Sequence, residues 1–99
     1  EEALRRARGE TQRGMAAEKV AAQRVSAVEK RVADWERHAQ DAVRAGDDEL
    51  AALALQAQQQ AEQELALARR EHAEAAKTAA VQQEALKKLE ARLREAKQR

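Results

Sequence analysis

The sequence predicts an all-α fold, a long two-helix antiparallel coiled-coil hairpin, on three observations. Strong helix formers, namely Ala, Glu, Gln, Arg, Lys and Leu, dominate the 99 residues, and Pro is absent. Apolar residues recur at alternating steps of three and four, which is the spacing of a coiled-coil seam. One strong break, at residues 44–49, divides the chain into two segments of similar length. A connection this short favours antiparallel neighbouring helices.

The apolar residues are too small to build an ordinary globular core. Of 43 apolar residues 26 are Ala, which leaves 17 large side chains, and only one of these, a Trp, is aromatic. The formal net charge of +1 and the helix-forming composition are typical of a long helix or coiled coil rather than of a disordered chain. β-Sheet is not expected, because β-branched and aromatic residues are scarce.

The first helix is expected over residues 1–45, with a heptad seam that becomes more apolar toward the break. Thr11, Gly14 and Glu18 weaken the early part of this seam, whereas Val25, Val28, Val32 and Trp35 make the later part apolar. The complete seam consists of Leu4, Ala7, Thr11, Gly14, Glu18, Ala21, Val25, Val28, Val32, Trp35, Ala39 and Ala42.

A turn is expected at residues 46–47, because the helix-ending and helix-starting residues meet there. Gly46 can adopt the left-handed conformation that ends a helix, and Arg44 suits the negative C-terminal end. Asp47 or Asp48 then provides an N-cap oxygen for the second helix. The 99 residues are therefore predicted to form one hairpin.

The second helix is expected over residues 48–99, with a seam that three successive steps of four interrupt between Leu53 and Leu65. Such a stutter would locally relax the supercoil. If this helix folds back on the first, the numbers of paired residues sum to about 93. The expected seam consists of Leu50, Leu53, Ala57, Ala61, Leu65, Ala68, His72, Ala75, Ala79, Gln82, Leu86, Leu89, Leu93 and Ala96.

Four large residues near the turn are candidate partner contacts: Trp35, Leu50, Leu53 and Leu55. Leu50 and Leu53 are expected to help cover Trp35, while Leu55 points away from the seam. Trp35 has two interpretations, a packed seam residue, which we favour, and part of a recognition surface. Outside the seam, Leu55 belongs to a thin second stripe that could meet another subunit. Its other members are Val20, Val43, Leu67 and Val81.

Glu18 and His72 are expected to form a polar layer within the seam. The two residues fall near each other when the helices are paired at a sum of about 93. We interpret the layer as a tolerated polar contact; the alternative is a pair that fixes the register, as buried polar groups do in some coiled coils.

No catalytic, cofactor-binding or metal-binding pattern is present, so we do not expect an enzyme. Cys is absent, and the two histidines, His38 and His72, lie in different parts of the hairpin. Acid pairs such as Glu62 and Glu64 are interpreted as part of a solvated face.

No apolar stretch approaches the roughly 20 residues that span a bilayer. There is no signal peptide, and a chain that starts at Glu1 rather than Met is expected to be a fragment or a processed product.

The last fifteen residues are basic. Residues 85–99 hold six basic and two acidic side chains, a local charge of +4. These cations either stabilise the C-terminal end of a helix or contact an anionic lipid or nucleic acid. A nucleic-acid partner is not expected, because no aromatic residues are interleaved to stack on bases.

The residues from Trp35 to Ala54 resemble the central hairpin of the phage shock protein A family, which includes the vesicle-inducing protein in plastids. Members show a Trp, then Ala at the fourth and seventh positions after it, a Gly-containing or charged turn, and Asp-x-Leu-Ala with a further Ala three residues on. The matching residues here are Trp35, Ala39, Ala42, Gly46, Asp48, Leu50, Ala51 and Ala54. Gln58, Gln59 and Gln60 depart from the family, which often has basic residues there.

The resemblance implies a bacterial ESCRT-III-like scaffold that oligomerises on the inner face of the cytoplasmic membrane and maintains it under stress. It implies self-association and an anionic membrane surface as partners, and for some members an AAA+ transcriptional activator. Membrane insertion in the family uses an N-terminal amphipathic helix that the 99 residues do not contain. An alternative from another class is a structural coiled-coil arm or stalk of a larger cytoplasmic assembly, such as a chromosome-organising ATPase.

Overall fold

The computed structural model describes residues 2–99, which form two long antiparallel helices. Helix α1 covers Glu2–Arg44 and helix α2 covers Asp48–Gln98, with 43 and 51 residues. The hairpin measures 79 × 16 × 14 Å, and the two helices lie side by side along the length of α1, while the last turns of α2 extend beyond it. The predicted all-α hairpin is confirmed; the expected helix start at residue 1 lies outside the described residues.

The turn at Ala45–Asp47 satisfies both helix ends with three residues. Gly46 has a φ of 74°, its N–H donates to the carbonyl of Val43, and the Asp47 N–H donates to the carbonyl of Ala42. These two bonds are the Schellman arrangement that ends a helix. Asp47 also caps α2, because its Oδ1 accepts a hydrogen bond of 3.0 Å from the N–H of Leu50.

The seam of α1 lies where the heptad pattern predicts it. Val28, Ala39 and Ala42 are buried at 1–6% exposure, and Thr11 is buried at 5%. The Thr11 hydroxyl donates to the carbonyl of Ala7 at 2.8 Å, so this buried polar group has a partner.

The seam of α2 differs from the prediction near the turn. Ala51 and Ala54 are buried, whereas Leu50 and Leu53 are 53% and 60% exposed. From Ala51 and Ala54 the seam continues through Gln58, which is half-buried, and Ala61, which is buried. Its steps therefore alternate between three and four residues, and the predicted stutter is not present. The expected placement of Leu50 and Leu53 on the seam is wrong, because a three-residue turn holds the helices too close for Leu between them.

The register of the hairpin agrees with a pairing sum of 93. The Thr11 hydroxyl lies 3.4 Å from the carbonyl oxygen of Gln82. A Cβ built on Gly14 would lie 3.7 Å from the Cα of Ala79 and would overlap the side-chain amide of Gln82. Gly14 therefore leaves the space in which Gln82 packs across the seam.

Ion pairs between the helices flank the seam on both sides. Arg8 pairs with Glu90, and Arg69 pairs with Glu29 at 3.1 Å, on one side. On the other side, Glu64 accepts from Arg31 and lies 3.7 Å from Arg24. Because all are partly exposed, each contributes only about 0–1 kcal/mol, but together they favour this register. This second group, Arg24, Arg31 and Glu64, lies on the same broad side of the hairpin as Trp35, which follows from the heptad positions of these residues.

We expect Gly46→Ala to reduce the free energy of unfolding by about 1–2 kcal/mol, because a left-handed conformation is unfavourable for residues with a Cβ. A Cβ at Gly46 would meet nothing within 4 Å, so the loss is due to the backbone alone. Gly46→Asn is the matched control and should lose less, since Asn tolerates this conformation. Urea unfolding followed by circular dichroism measures both; equal stability of wild type and Gly46→Ala would contradict the turn geometry.

Candidate docking surface at the turn

An apolar groove opens on one broad face of the hairpin beside the turn. It has a volume of about 560 Å³, and its large apolar side chains are Trp35, Leu50 and Leu53. These three are 38%, 53% and 60% exposed, while the alanines beneath them are buried. We call this surface the Trp groove. Three large side chains left half-exposed on a charged helix pair are typical of a docking site.

Trp35 stands on the seam pattern but does not sit inside the seam. The small residues Ala39, Ala42, Ala51 and Ala54 bring the helices close together, which leaves no room for an indole between them. The ring instead lies toward the groove, where its centroid is 5.5 Å from that of the His38 ring, with an interplanar angle of 66°. Such edge-to-face contacts orient an aromatic ring.

The rim of the Trp groove is acidic. Asp41 and Asp47 line it, and Asp48 and Glu49 follow directly in the chain. Asp47 is engaged in capping α2, and Asp41 lies 3.5 Å from Arg44 on its own helix. An apolar floor with an acidic rim fits a partner that presents apolar side chains flanked by basic ones.

Val43 and Leu55 form a second apolar surface, on the opposite broad face. They are 63% and 51% exposed and line a groove of about 520 Å³ together with Glu36 and Gln58. Leu55 does point away from the seam, and it is also on the far side of the hairpin from Trp35. The four candidate contact residues therefore divide between two faces, with Leu55 separated from Trp35, Leu50 and Leu53.

Glu18 and His72 lie beside each other halfway along the hairpin. His72 Nε2 is 3.9 Å from Glu18 Oε2, and both side chains are more than one-third exposed. This distance is too long for a hydrogen bond, and water reaches both groups. The geometry is that of a polar contact at the edge of the seam.

Sequence reasoning missed two residues that line the Trp groove, although it did place Gln82 on the seam. His38 and Asp41 line the Trp groove. The only signal in the sequence for this position is their spacing from Trp35 and Leu50. Gln82 Oε1 is buried with no hydrogen-bond partner among the described residues. The signal for its packing is Gly14, a glycine at a seam position in the middle of a helix.

Residues 2–99 hold no cluster of three or more His, Asp or Glu side chains suited to a metal ion. Neither helix has an apolar segment of the length needed to cross a membrane. Comparison of the chain with family models, with curated proteins and with solved structures finds no match.

We expect Trp35→Ala to destabilise the hairpin by less than the roughly 3–5 kcal/mol of a fully buried aromatic ring, because the ring is 38% exposed. Thermal unfolding measures the loss. Leu53→Ala is the matched control from the same groove and should cost less still, since Leu53 is more exposed. A larger loss for Leu53→Ala than for Trp35→Ala would contradict this account of the groove.

We expect replacement of both Glu18 and His72 by Leu to raise the melting temperature, with a gain of about 1–3 kcal/mol from the apolar surface buried. The two residues share only a long contact of 3.9 Å, so little is lost. A variant with Gln at both positions controls for loss of charge and should unfold near the wild-type temperature. A clear fall in stability for the Leu variant would show that the pair is specifically required.

Proposed function

We propose that this chain is a non-enzymatic scaffold, the hairpin core of a phage-shock-protein-A-like, ESCRT-III-like protein. In this proposal the whole protein oligomerises on the inner face of the cytoplasmic membrane and maintains its integrity under stress. Its partners are other copies of itself, the anionic membrane surface and, as for some members of that family, an AAA+ transcriptional activator.

The main support is the structural role of each residue in the Trp35–Ala54 resemblance. Ala39, Ala42, Ala51 and Ala54 are the buried residues that bring the helices together. Gly46 has the positive φ of the turn, and Trp35 and Leu50 line the exposed groove. The pattern therefore describes a specific hairpin end with large side chains displayed outside it, and general coiled-coil composition does not require this combination.

The charge of the open end supports a contact with an anionic surface. The antiparallel fold brings residues 2–13, with four Arg and two Glu, beside residues 85–99, whose charge is +4. Their combined formal charge is +6. Attraction of this kind to anionic lipid is weak and falls with salt, so it would add to an inserting helix and not replace one.

The alternative proposal is a structural arm or stalk of a larger cytoplasmic assembly. The observation that favours it is the uninterrupted seam of a hairpin that is 79 Å long, which suits a rigid spacer. An arm has no need of large exposed side chains on both faces beside the turn. The sequence upstream of this segment discriminates the two proposals: a short amphipathic helix supports the scaffold, and an ATPase domain supports the arm.

We expect Leu55→Glu in the full-length protein to reduce assembly on anionic vesicles while leaving the hairpin folded. Leu55 is half-exposed, so a carboxylate there costs little in the free hairpin but opposes burial against a neighbouring subunit. Vesicle co-sedimentation and electron microscopy measure assembly, and circular dichroism measures folding.

Gln59→Glu is the matched control for this variant. It adds one negative charge to an exposed position one helical turn from Leu55 without removing an apolar side chain, and it should assemble as the wild type does. Normal polymers of Leu55→Glu would contradict the scaffold proposal at this surface, as would a full-length protein that neither assembles nor binds anionic vesicles.

A further inference from the structure

The exposed large apolar side chains of the hairpin are concentrated on one broad face. Nine such residues are exposed among residues 2–99, and three of them, Trp35, Leu50 and Leu53, line the Trp groove. Leu67 and Val81 follow Leu53 at 14 and 28 residues, which are whole heptads, so they stand on the same side of α2. Val20 precedes Asp41, another groove residue, by three heptads on α1. We call this side the Trp face; six of the nine residues belong to it.

A row of side chains on α1 runs along the Trp face and changes sign from one end to the other. Its members repeat every seven residues. From the open end to the turn they are Arg6, Arg13, Val20, Ala27, Asp34 and Asp41. Two cations are followed by two apolar residues and two anions. All six are exposed or half-exposed.

The charges of this row are complementary to those of the same row in a second copy that runs in the opposite direction. If a second copy lies antiparallel on the first, residues whose numbers sum to 47 come to the same level. Arg6 then meets Asp41 of the second copy, Arg13 meets Asp34, and Val20 meets Ala27. A two-fold axis across the hairpin makes each contact twice and stacks α1 on α1. A parallel face-to-face arrangement would instead stack α1 on α2, so the row would not meet its complement.

The charge of the whole hairpin favours the same antiparallel arrangement. Residues 28–68, the half nearer the turn, hold four basic and nine acidic side chains, a formal charge of −5. Residues 2–27 and 69–99, the open half, hold fifteen basic and eight acidic ones, a formal charge of +7. Overlap of two antiparallel copies brings the negative half of each beside the positive half of the other.

Two apolar residues of α2 come level with apolar residues on α1 of the second copy in this arrangement. Within one copy, a residue of α2 lies level with the α1 residue for which the two residue numbers sum to 93. Val81 therefore lies at the level of α1 residue 12, which is the level of Trp35 on the other helix of the second copy. Leu67 lies within one residue of the level of Val20 of the second copy. Val20, Ala27 and Leu67 thus lie near the centre of the face beside the charged Arg24 and Glu64, while Trp35, Leu50 and Leu53 lie nearer the turn.

Two pairs of like charges also come level within one residue: Glu64 of one copy with Glu74 of the other, and Arg24 of one copy with Arg24 of the other. Both carboxylates already have cations in their own chain. Glu64 pairs with Arg24 and Arg31, and Glu74 lies 3.8 Å from Lys77. These pairs reduce the repulsion between the two carboxylates.

We propose that the Trp face binds a second copy of this chain, antiparallel and face to face, to form a four-helix dimer. A face of 79 × 16 Å offers roughly 1,200 Å² per copy, above the about 800 Å² per partner of a standard stable interface. The proposal deepens the self-association in the proposed function by naming one contact surface. It uses the face opposite Leu55, so it can fail or hold independently of assembly through Leu55.

The first test is the mass of the chain in solution without lipid. Sedimentation velocity should give twice the monomer mass of 11.0 kDa, with dissociation as salt is raised. A chain that stays monomeric at high concentration and low salt would overturn the proposal. A spin label on Arg44→Cys distinguishes the orientations: antiparallel copies separate the two labels by roughly 60 Å, and parallel copies bring them close together.

The decisive test is a charge exchange between Arg13 and Asp34. Asp34→Arg places cations opposite each other at two symmetric contacts, and we expect the dimer dissociation constant to rise about tenfold or more. The same rise is expected for Arg13→Asp. The double variant carrying both changes should recover the wild-type constant. Within one chain these residues are 21 positions apart, roughly 31 Å along a helix, so recovery can come only from contact between two copies.

Glu36→Arg is the matched control, because it changes the net charge as Asp34→Arg does but lies on the face of Leu55. It should leave the dimer unchanged, and circular dichroism should show full helicity for every variant. A dimer that ignores Asp34→Arg, or a double variant that stays weakened, would overturn this interface. Loss of the dimer in Glu36→Arg would place the contact on the other face.

Discussion

The close approach of the two helices on a seam of small residues determines most other features of the hairpin. Gly46 and Asp47 reverse the chain within three residues while satisfying both helix ends. The helices leave such a turn nearly in contact, and only Ala fits between them at residues 39, 42, 51 and 54. The backbone geometry of the turn and the size of the seam side chains therefore have to agree.

Large side chains near the turn lie outside because the seam excludes them. Leu50, Leu53 and Leu55 are each at least half-exposed, and Trp35 lies at the edge of the seam. Packing at this end comes from small residues, so the large ones are left to contact something else. An apolar groove with an acidic rim on one face and a second apolar surface on the other are direct consequences.

The antiparallel fold also separates charge along the molecule. The open end collects the basic residues of both termini, and the turn half collects the acidic ones, although the whole chain is almost neutral. A rod with opposite charge at its two ends favours antiparallel or head-to-tail neighbours over parallel ones. The proposed membrane contact uses the basic open end, and the proposed dimer uses the attraction between the basic half of one copy and the acidic half of the other.

The sequence by itself determined the fold class, the position of the turn and nearly the whole seam of α1. Helix-forming composition, a seven-residue period and a Gly-Asp pair are local signals, and they survive in the structure because no competing signal opposes them. The seam of α2 near the turn could not be read in this way. Leu50 and Leu53 are more hydrophobic than Ala51 and Ala54, so a pattern of hydrophobicity selects the leucines.

Only the tertiary structure decided whether the leucines or the alanines near the turn are buried. The reason is that the distance between the helices depends on how both helices pack, and the sequence of one helix does not determine it. The division of the exposed apolar residues between two faces has the same origin. A face of the hairpin exists only once both helices are in register, and that register joins residues more than seventy positions apart, such as Thr11 and Gln82.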